Sequence, residues 1–200
     1  MPRAFSEQER AIIRTRLLQH GRELLAAHGI RRVNVEDLTQ AVGISKGAFY
    51  LFFASKEELF YAVLRAFEAE YQAELLDALG PPDLLPQQRI RVFIERALHT
   101  WQTNPLFKRF GREEYELLAR RLPPELLAEG FQDDIEFAGR LLNRWRSEGV
   151  AARADANLLA GLMRSLFYVS LHADEFAPAI YTITLERLIG AIARDLTAEF

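Results

Sequence analysis

Two short helical segments joined by Gly43-Ile44-Ser45 limit what this chain can become more than any other feature of it. Asn34, with Asp37 three residues on, has the spacing that starts a helix over "VEDLTQAV", and Gly43 stops it. Ser45 then caps a second segment, "KGAFYLFF". A link this short, with a glycine in it, turns the chain sharply and makes the pair a helix-turn-helix. Val35, Leu38, Val42 and Ile44 are spaced to pack inward. Phe49 and Phe53 fall four apart, on the side that buries against Leu17, Leu24 and Leu25 of the preceding segment. Lys46, Gly47, Ala48, Tyr50 and Leu51 are left pointing outward. Small residues at the start of that outward helix suit deep entry into a major groove, and the Tyr50 hydroxyl could reach a phosphate.

The remaining punctuation is helical throughout. Ser6 with Glu9 forms a capping-box pattern whose helix runs to Gly29, and Ser55 with Glu58 opens a long helix that stops at Gly80-Pro81-Pro82. Further helices are expected at about 86–103, 105–121, 124–148, 155–174 and 178–198, separated by Pro105, Pro123-Pro124, Gly149 and Pro178. No segment alternates with period two for long enough to make a strand. The expected fold is all-α with about nine helices.

Composition narrows the function classes. Without cysteine the 200-residue chain has no disulfide, thiolate metal site or cysteine nucleophile. No stretch approaches the roughly 18 uncharged apolar residues of a membrane span, and the first residues lack a signal-peptide core, so a cytoplasmic protein without a membrane partner is expected. His20, His28, His99 and His172 have no catalytic or zinc spacing, and there is no P-loop, dinucleotide fingerprint or nucleophile elbow, so no enzyme activity and no cofactor is expected. Asp133, Asp134 and Glu136 in "FQDDIEF" read as a solvated acidic face rather than a metal site. The net charge of −3 hides an asymmetry, because residues 1–60 hold nine Lys/Arg against seven Asp/Glu while the rest is acidic. A basic first third suits a polyanion-facing module.

Two lysines sharpen that reading. Lys46 and Lys56 each follow a capping serine, Ser45 and Ser55, and so occupy a first helical turn, where the macrodipole disfavours a cation. Beside a DNA phosphate the signs agree, since lysine, free N–H groups and dipole face one anion. The plain alternative is a pair of solvated surface lysines.

Residues 29–64, "GIRRVNVEDLTQAVGISKGAFYLFFASKEELFYAVL", resemble the signature of the TetR family of bacterial transcriptional regulators. The likeness lies in a glycine ending the first helix, a cap before "DLTQAVGIS", then "KGAFY", a Phe and "SKEEL". A looser echo occurs at "EGVAARADANLLAGLM", residues 148–163, and helix count and length extend the resemblance along the chain. His20, Gly21, Thr39 and Leu51 depart from the usual pattern. The resemblance implies an N-terminal helix-turn-helix DNA-binding domain at 1–54, with the family motif over about 11–71 and the helix-turn-helix at 34–53, and a helical ligand-binding and dimerisation domain at 55–200. It also implies a homodimer that binds a near-palindromic double-stranded operator and releases it when a small-molecule inducer binds.

Carried residue by residue, the DNA-binding set is Asn34, Thr39, Ser45, Lys46, Gly47, Ala48, Tyr50, Leu51 and Lys56. The apolar helix from Ala156 to Ala173 has the single charge Arg164 and needs cover on two sides, which makes Leu158, Leu162 and Leu166, with Leu188 and Ile192 of the last helix, candidates for a dimer interface. Pocket candidates are Trp101, Phe107, Phe110, Phe131, Phe167 and Tyr168, with Glu113, Glu114 and Arg164 as polar groups that either orient a ligand or form an ion pair. Ample aromatic lining suits an apolar or amphipathic inducer. The rival is a helical small-molecule-binding protein without DNA function, which has no need of the twinned Ser-Lys starts.

Overall fold

A computed structural model describes residues 5–77, 80–107, 110–150 and 154–197. Ala78, Leu79 and Ala198, at the ends of expected helices, lie outside the described residues, as do Lys108 and Arg109 of the expected sixth helix and Ala151, Ala152 and Arg153 of the "EGVAARAD" echo. Among the described residues there are nine α-helices and no strand. They are α1 Glu7–His28, α2 Val35–Val42, α3 Lys46–Phe49, α4 Lys56–Asp77, α5 Pro86–Thr103, α6 Arg112–Arg121, α7 Pro124–Ser147, α8 Ala156–Leu171 and α9 Pro178–Thr197. No helix of the described residues is long and apolar enough to cross a membrane.

The chain divides into two compact units, each built from separate stretches. Met1–Glu68 joins Asn104–Pro123 in the first, and Ala69–Thr103 joins Pro124–Phe200 in the second. In the first, α1 packs on α2 and α2 on α3 around a buried core that includes Leu17, Leu25, Ile30, Leu38, Phe49, Leu59 and Phe60. Gly21 allows α1 to lie close to α4, since a Cβ there would stand 3.2 Å from Val63 Cγ2. Phe67 meets Phe107 edge-on at 5.0 Å, and this packing anchors the 104–123 stretch in the unit. In the second unit α7 packs on α8 and α5 on α9, with Phe93 and Trp145 edge to face at 5.3 Å in the core.

Local chemistry explains where the helices start. Both predicted boxes at the first two helices form: Ser6 and Glu9 cap α1 reciprocally, and Asn34 and Asp37 cap α2. The third box is altered. Ser55 Oγ accepts from the Glu58 N–H, but the Glu58 carboxylate accepts from the N–H of Ala54, one residue earlier than the pattern requires. Gly43 ends α2 in the left-handed region at φ 76°, where a side chain would be strained.

Three helices are shorter than their patterns suggest. The third holds helical geometry only over Lys46–Phe49, because the N–H of Leu51 donates to Ala48 O and that of Phe52 to Phe49 O, tightening the chain into successive i to i+3 turns. The sixth begins at Arg112 rather than 105. Asn104 Oδ1 takes the N–H of Leu106, the N–H of Phe107 donates to Asn104 O, and that of Phe110 donates to Phe107 O. The eighth ends at Leu171, and Ala173–Glu175 forms a separate 3₁₀ turn.

The second unit also buries a charge. Arg89, 5% exposed, donates to the Glu148 carboxylate and backbone carbonyl. The Arg89 hydrogen bond, helped by Arg144, holds the Glu148 carboxyl below its ordinary value. The folded state is therefore favoured above the usual carboxylate range, and that contribution is lost as pH falls through the lowered value.

Candidate nucleic-acid interface

The turn from α2 into α3 sorts its residues cleanly by side. Phe49 is fully buried and Phe53 is 4% exposed, their rings 6.1 Å apart, while Tyr50 and Leu51 are half exposed. Lys46 and Gly47 are exposed and Ala48 is half-buried. A Cβ on Gly47 would find only Ser45 Oγ, at 3.9 Å, so this corner of the helix is bare backbone. The surface it offers combines a cation, an uncovered helix start, a phenol and an aliphatic side chain. That combination suits backbone anchoring beside base contact.

Caps fix where the two helices start. Ser45 Oγ accepts from the Ala48 N–H, and Asn34 Oδ1 accepts from the Asp37 N–H, so both predicted DNA-facing residues also serve their own helices. Thr39 differs from expectation. It is 6% exposed and its hydroxyl donates to the Glu36 carbonyl, which leaves little of it for a duplex.

The two lysines have different partners. Lys46 is exposed and its ammonium sits 2.5 Å from a Glu36 carboxylate oxygen, a pair that raises the lysine pKa and lowers that of the acid. Being solvated, the pair is weak and exchangeable. Lys56 is half-buried, and its Nζ donates to the carbonyls of Ile30 at 2.9 Å and Val33 at 2.7 Å. It ties the start of α4 to the loop between α1 and α2. Position within a helix start made the lysines look alike, whereas tertiary surroundings separate them.

Sequence reasoning missed Arg10. Its guanidinium lies over the Phe52 ring at 5.3 Å, and its Nη2 donates to Leu51 O at 3.3 Å. Arg14 lies over Phe53 at 5.5 Å. The basic first third of the chain was the available signal, but nothing in spacing connects Arg10 to a carbonyl 41 residues away.

The pocket candidates divide between the units. Phe107, Phe110, Glu113 and Glu114 fall in the first, and Trp101, Phe131, Arg164, Phe167 and Tyr168 in the second. Phe107 and Phe110 are buried, their rings 6.2 Å apart. Each of the charged candidates has a partner within its own unit. Glu113 lies 2.9 Å from Arg31 of the α1–α2 loop, and Glu114 accepts from the Gly111 N–H at the start of α6 and lies 4.0 Å from the same arginine. Arg164 meets Asp134 at 2.8 Å and stacks over Phe131 at 4.1 Å. Trp101 and Phe167 meet edge to face at 4.6 Å, with Tyr168 beside them.

The dimer candidates also separate. Leu158 is 48% and Leu188 38% exposed, whereas Leu166 is buried and Leu162 and Ile192 pack against the core of their own unit. Ile180 and Ile183, each 55% exposed, join Leu188 along α9. Among the described residues no group of three or more His, Cys, Asp and Glu could hold a metal.

Two helices joined by the short link Gly43–Ser45, with the start of the second exposed, place the chain in the helix-turn-helix class. The sequence profile of the bacterial regulatory proteins of the tetR family matches residues 17–63. Over 149 residues the chain is 30% identical to the HTH-type transcriptional repressor Rv1474c of Mycobacterium tuberculosis, covering 68% of this chain and 77% of that protein. The chain belongs to the TetR family and is a DNA-binding transcriptional regulator. The fold agrees with two solved structures. Escherichia coli NemR in its reduced form has a TM-score of 0.59 at 20% identity, covering 93% of this chain and 98% of that one. RolR in complex with resorcinol has a TM-score of 0.58 at 22% identity, covering 98% and 97%.

Proposed function

We propose that the protein is a homodimeric, ligand-responsive repressor of the cytoplasm that holds a near-palindromic operator through Lys46, Gly47, Ala48, Tyr50 and Leu51. The single observation that carries the reading is the sidedness of the recognition turn, with Phe49 and Phe53 inside and Tyr50 and Leu51 half exposed. Residues 1–54 serve DNA and residues 55–200 serve ligand and dimer formation. Lys46 supplies affinity through a phosphate, exchanging Glu36 for it; Ala48 and Leu51 supply base preference.

Dimer formation is supported by the uncovered apolar side chains Leu158, Ile180, Ile183 and Leu188 on α8 and α9, which a second copy would bury. Two recognition turns would then meet one face of the duplex about 34–36 Å apart, one DNA turn. The inducer is apolar or amphipathic and aromatic-compatible, received by the second unit, where Trp101, Phe167 and Tyr168 cluster and Arg164 lies on Phe131. RolR was solved with resorcinol, a likeness of fold that favours this ligand class. Arg31 with Glu113 and Glu114 ties α6 to the α1–α2 loop that leads into the helix-turn-helix, so a displacement of α6 would reach the DNA-facing residues. Coupling of this kind is reciprocal, at typically about 1–3 kcal/mol, so operator must weaken inducer binding as inducer weakens operator binding.

Selection from a pool of randomised duplexes tests the reading. Enrichment of an inverted repeat with half-sites one turn apart is expected; a pool that stays random after repeated rounds would contradict it.

A further inference from the structure

At four residues, α3 is too short to hold its own direction. Its inner side is fixed by Phe49, but the half-exposed Tyr50 and Leu51 lie beyond its last helical residue, in a stretch held by i to i+3 turns. At such an end the last carbonyls lack helical partners and carry the negative end of the dipole. Arg10 supplies a donor there. Its Nη2 hydrogen bonds to Leu51 O while its Cζ lies 5.3 Å from the centroid of the Phe52 ring, which is 6.1 Å from that of Phe5 on the chain leading into α1. The brace thus runs from the first turn of α1 to the backbone of the residue that faces outward at the end of the recognition turn.

We infer that Arg10 is a positioning residue for sequence selectivity, acting through Leu51 and Tyr50 rather than by neutralising a phosphate. The inference rests on the DNA-binding reading above. A guanidinium performs both parts of the task, since its flat face stacks on an aromatic ring while an in-plane N–H donates to the carbonyl. A lysine keeps the charge but cannot stack and donate in that way. The two roles therefore separate experimentally: removing a phosphate-neutralising cation lowers the salt slope by about one unit and weakens all sequences alike, whereas removing a brace lowers the preference for the chosen sequence.

The test uses the full-length protein with a duplex selected by the wild type from a randomised pool, and a shuffled duplex of equal length. Affinities for both are measured by fluorescence anisotropy across a salt series for wild type, Arg10→Ala, Arg10→Lys and Phe52→Leu, with circular dichroism melts confirming the fold. Expected is a fall in the selected-to-shuffled ratio of roughly tenfold, the size of one mismatched base pair, in all three variants. The salt slope of Arg10→Lys should equal that of wild type. The inference is overturned if Arg10→Lys restores the wild-type ratio, or if Arg10→Ala leaves the ratio unchanged while the slope falls. Failure of the wild type to select any duplex would instead sink the DNA-binding reading itself, so the two failures are distinguishable.

Discussion

Under the proposed function the exposed pair of Lys46 and Glu36 tunes DNA affinity and adds little to the fold. The two side chains are more than half exposed, so their mutual attraction is screened and phosphate can displace the carboxylate at little cost. Removing the competitor should therefore help binding: Glu36→Gln is expected to tighten binding to every duplex and leave thermal stability unchanged. Lys46→Ala should weaken every duplex and make the log–log salt slope shallower by about one unit for each phosphate it no longer neutralises. Anisotropy titrations over a salt series check both. A change in base preference with an unchanged slope would show that Lys46 reads sequence instead of anchoring the backbone. The place of Lys46 at the start of α3 was legible because a capping serine is local information. Its partner ten residues away was not, since Glu36 reaches it only once Gly43 has turned α3 back beside α2.

At the level of elements, the range of each interaction decides which helix ends were readable. Capping side chains act within three or four residues, so the starts of α1 and α2 follow from Ser6, Glu9, Asn34 and Asp37 alone. The end of α3 does not. It lies where the chain tightens into i to i+3 turns, with Arg10 bonded to Leu51 O, and apolar spacing over "KGAFYLFF" extends the expected helix past its real end. Lys56 is the clearest case of an element joined to a distant loop, because its two carbonyl partners lie 23 and 26 residues earlier. Lys56→Met keeps the stem and removes the donors, leaving the Ile30 and Val33 carbonyls short of a partner. A destabilisation of about 2–3 kcal/mol is expected, by analogy with charged hydrogen bonds in partly buried sites. Denaturant unfolding measures it. Stability equal to wild type, with a salt slope shallower by one unit, would return Lys56 to the phosphate-binding role that its sequence position suggests.

For the whole molecule, helix order and class were legible because the chain is punctuated by Gly, Pro and capping residues and lacks any period-two segment. What was not legible is which stretches cluster. Residues 104–123 join the N-terminal unit through packing such as that of Phe67 with Phe107, and this splits the aromatic candidates between two units. Arg164 finds Asp134 thirty residues away on a neighbouring helix, a choice set by how α7 packs on α8. Duplex recognition by the exposed turn is tested most directly by the salt dependence of binding to a selected duplex. A dimer anchored by several phosphates should bind that duplex at least about 10³-fold more tightly than a shuffled one, with a log–log salt slope steeper than about −3. Equal affinities for the two duplexes, or binding indifferent to salt, would contradict recognition by this turn.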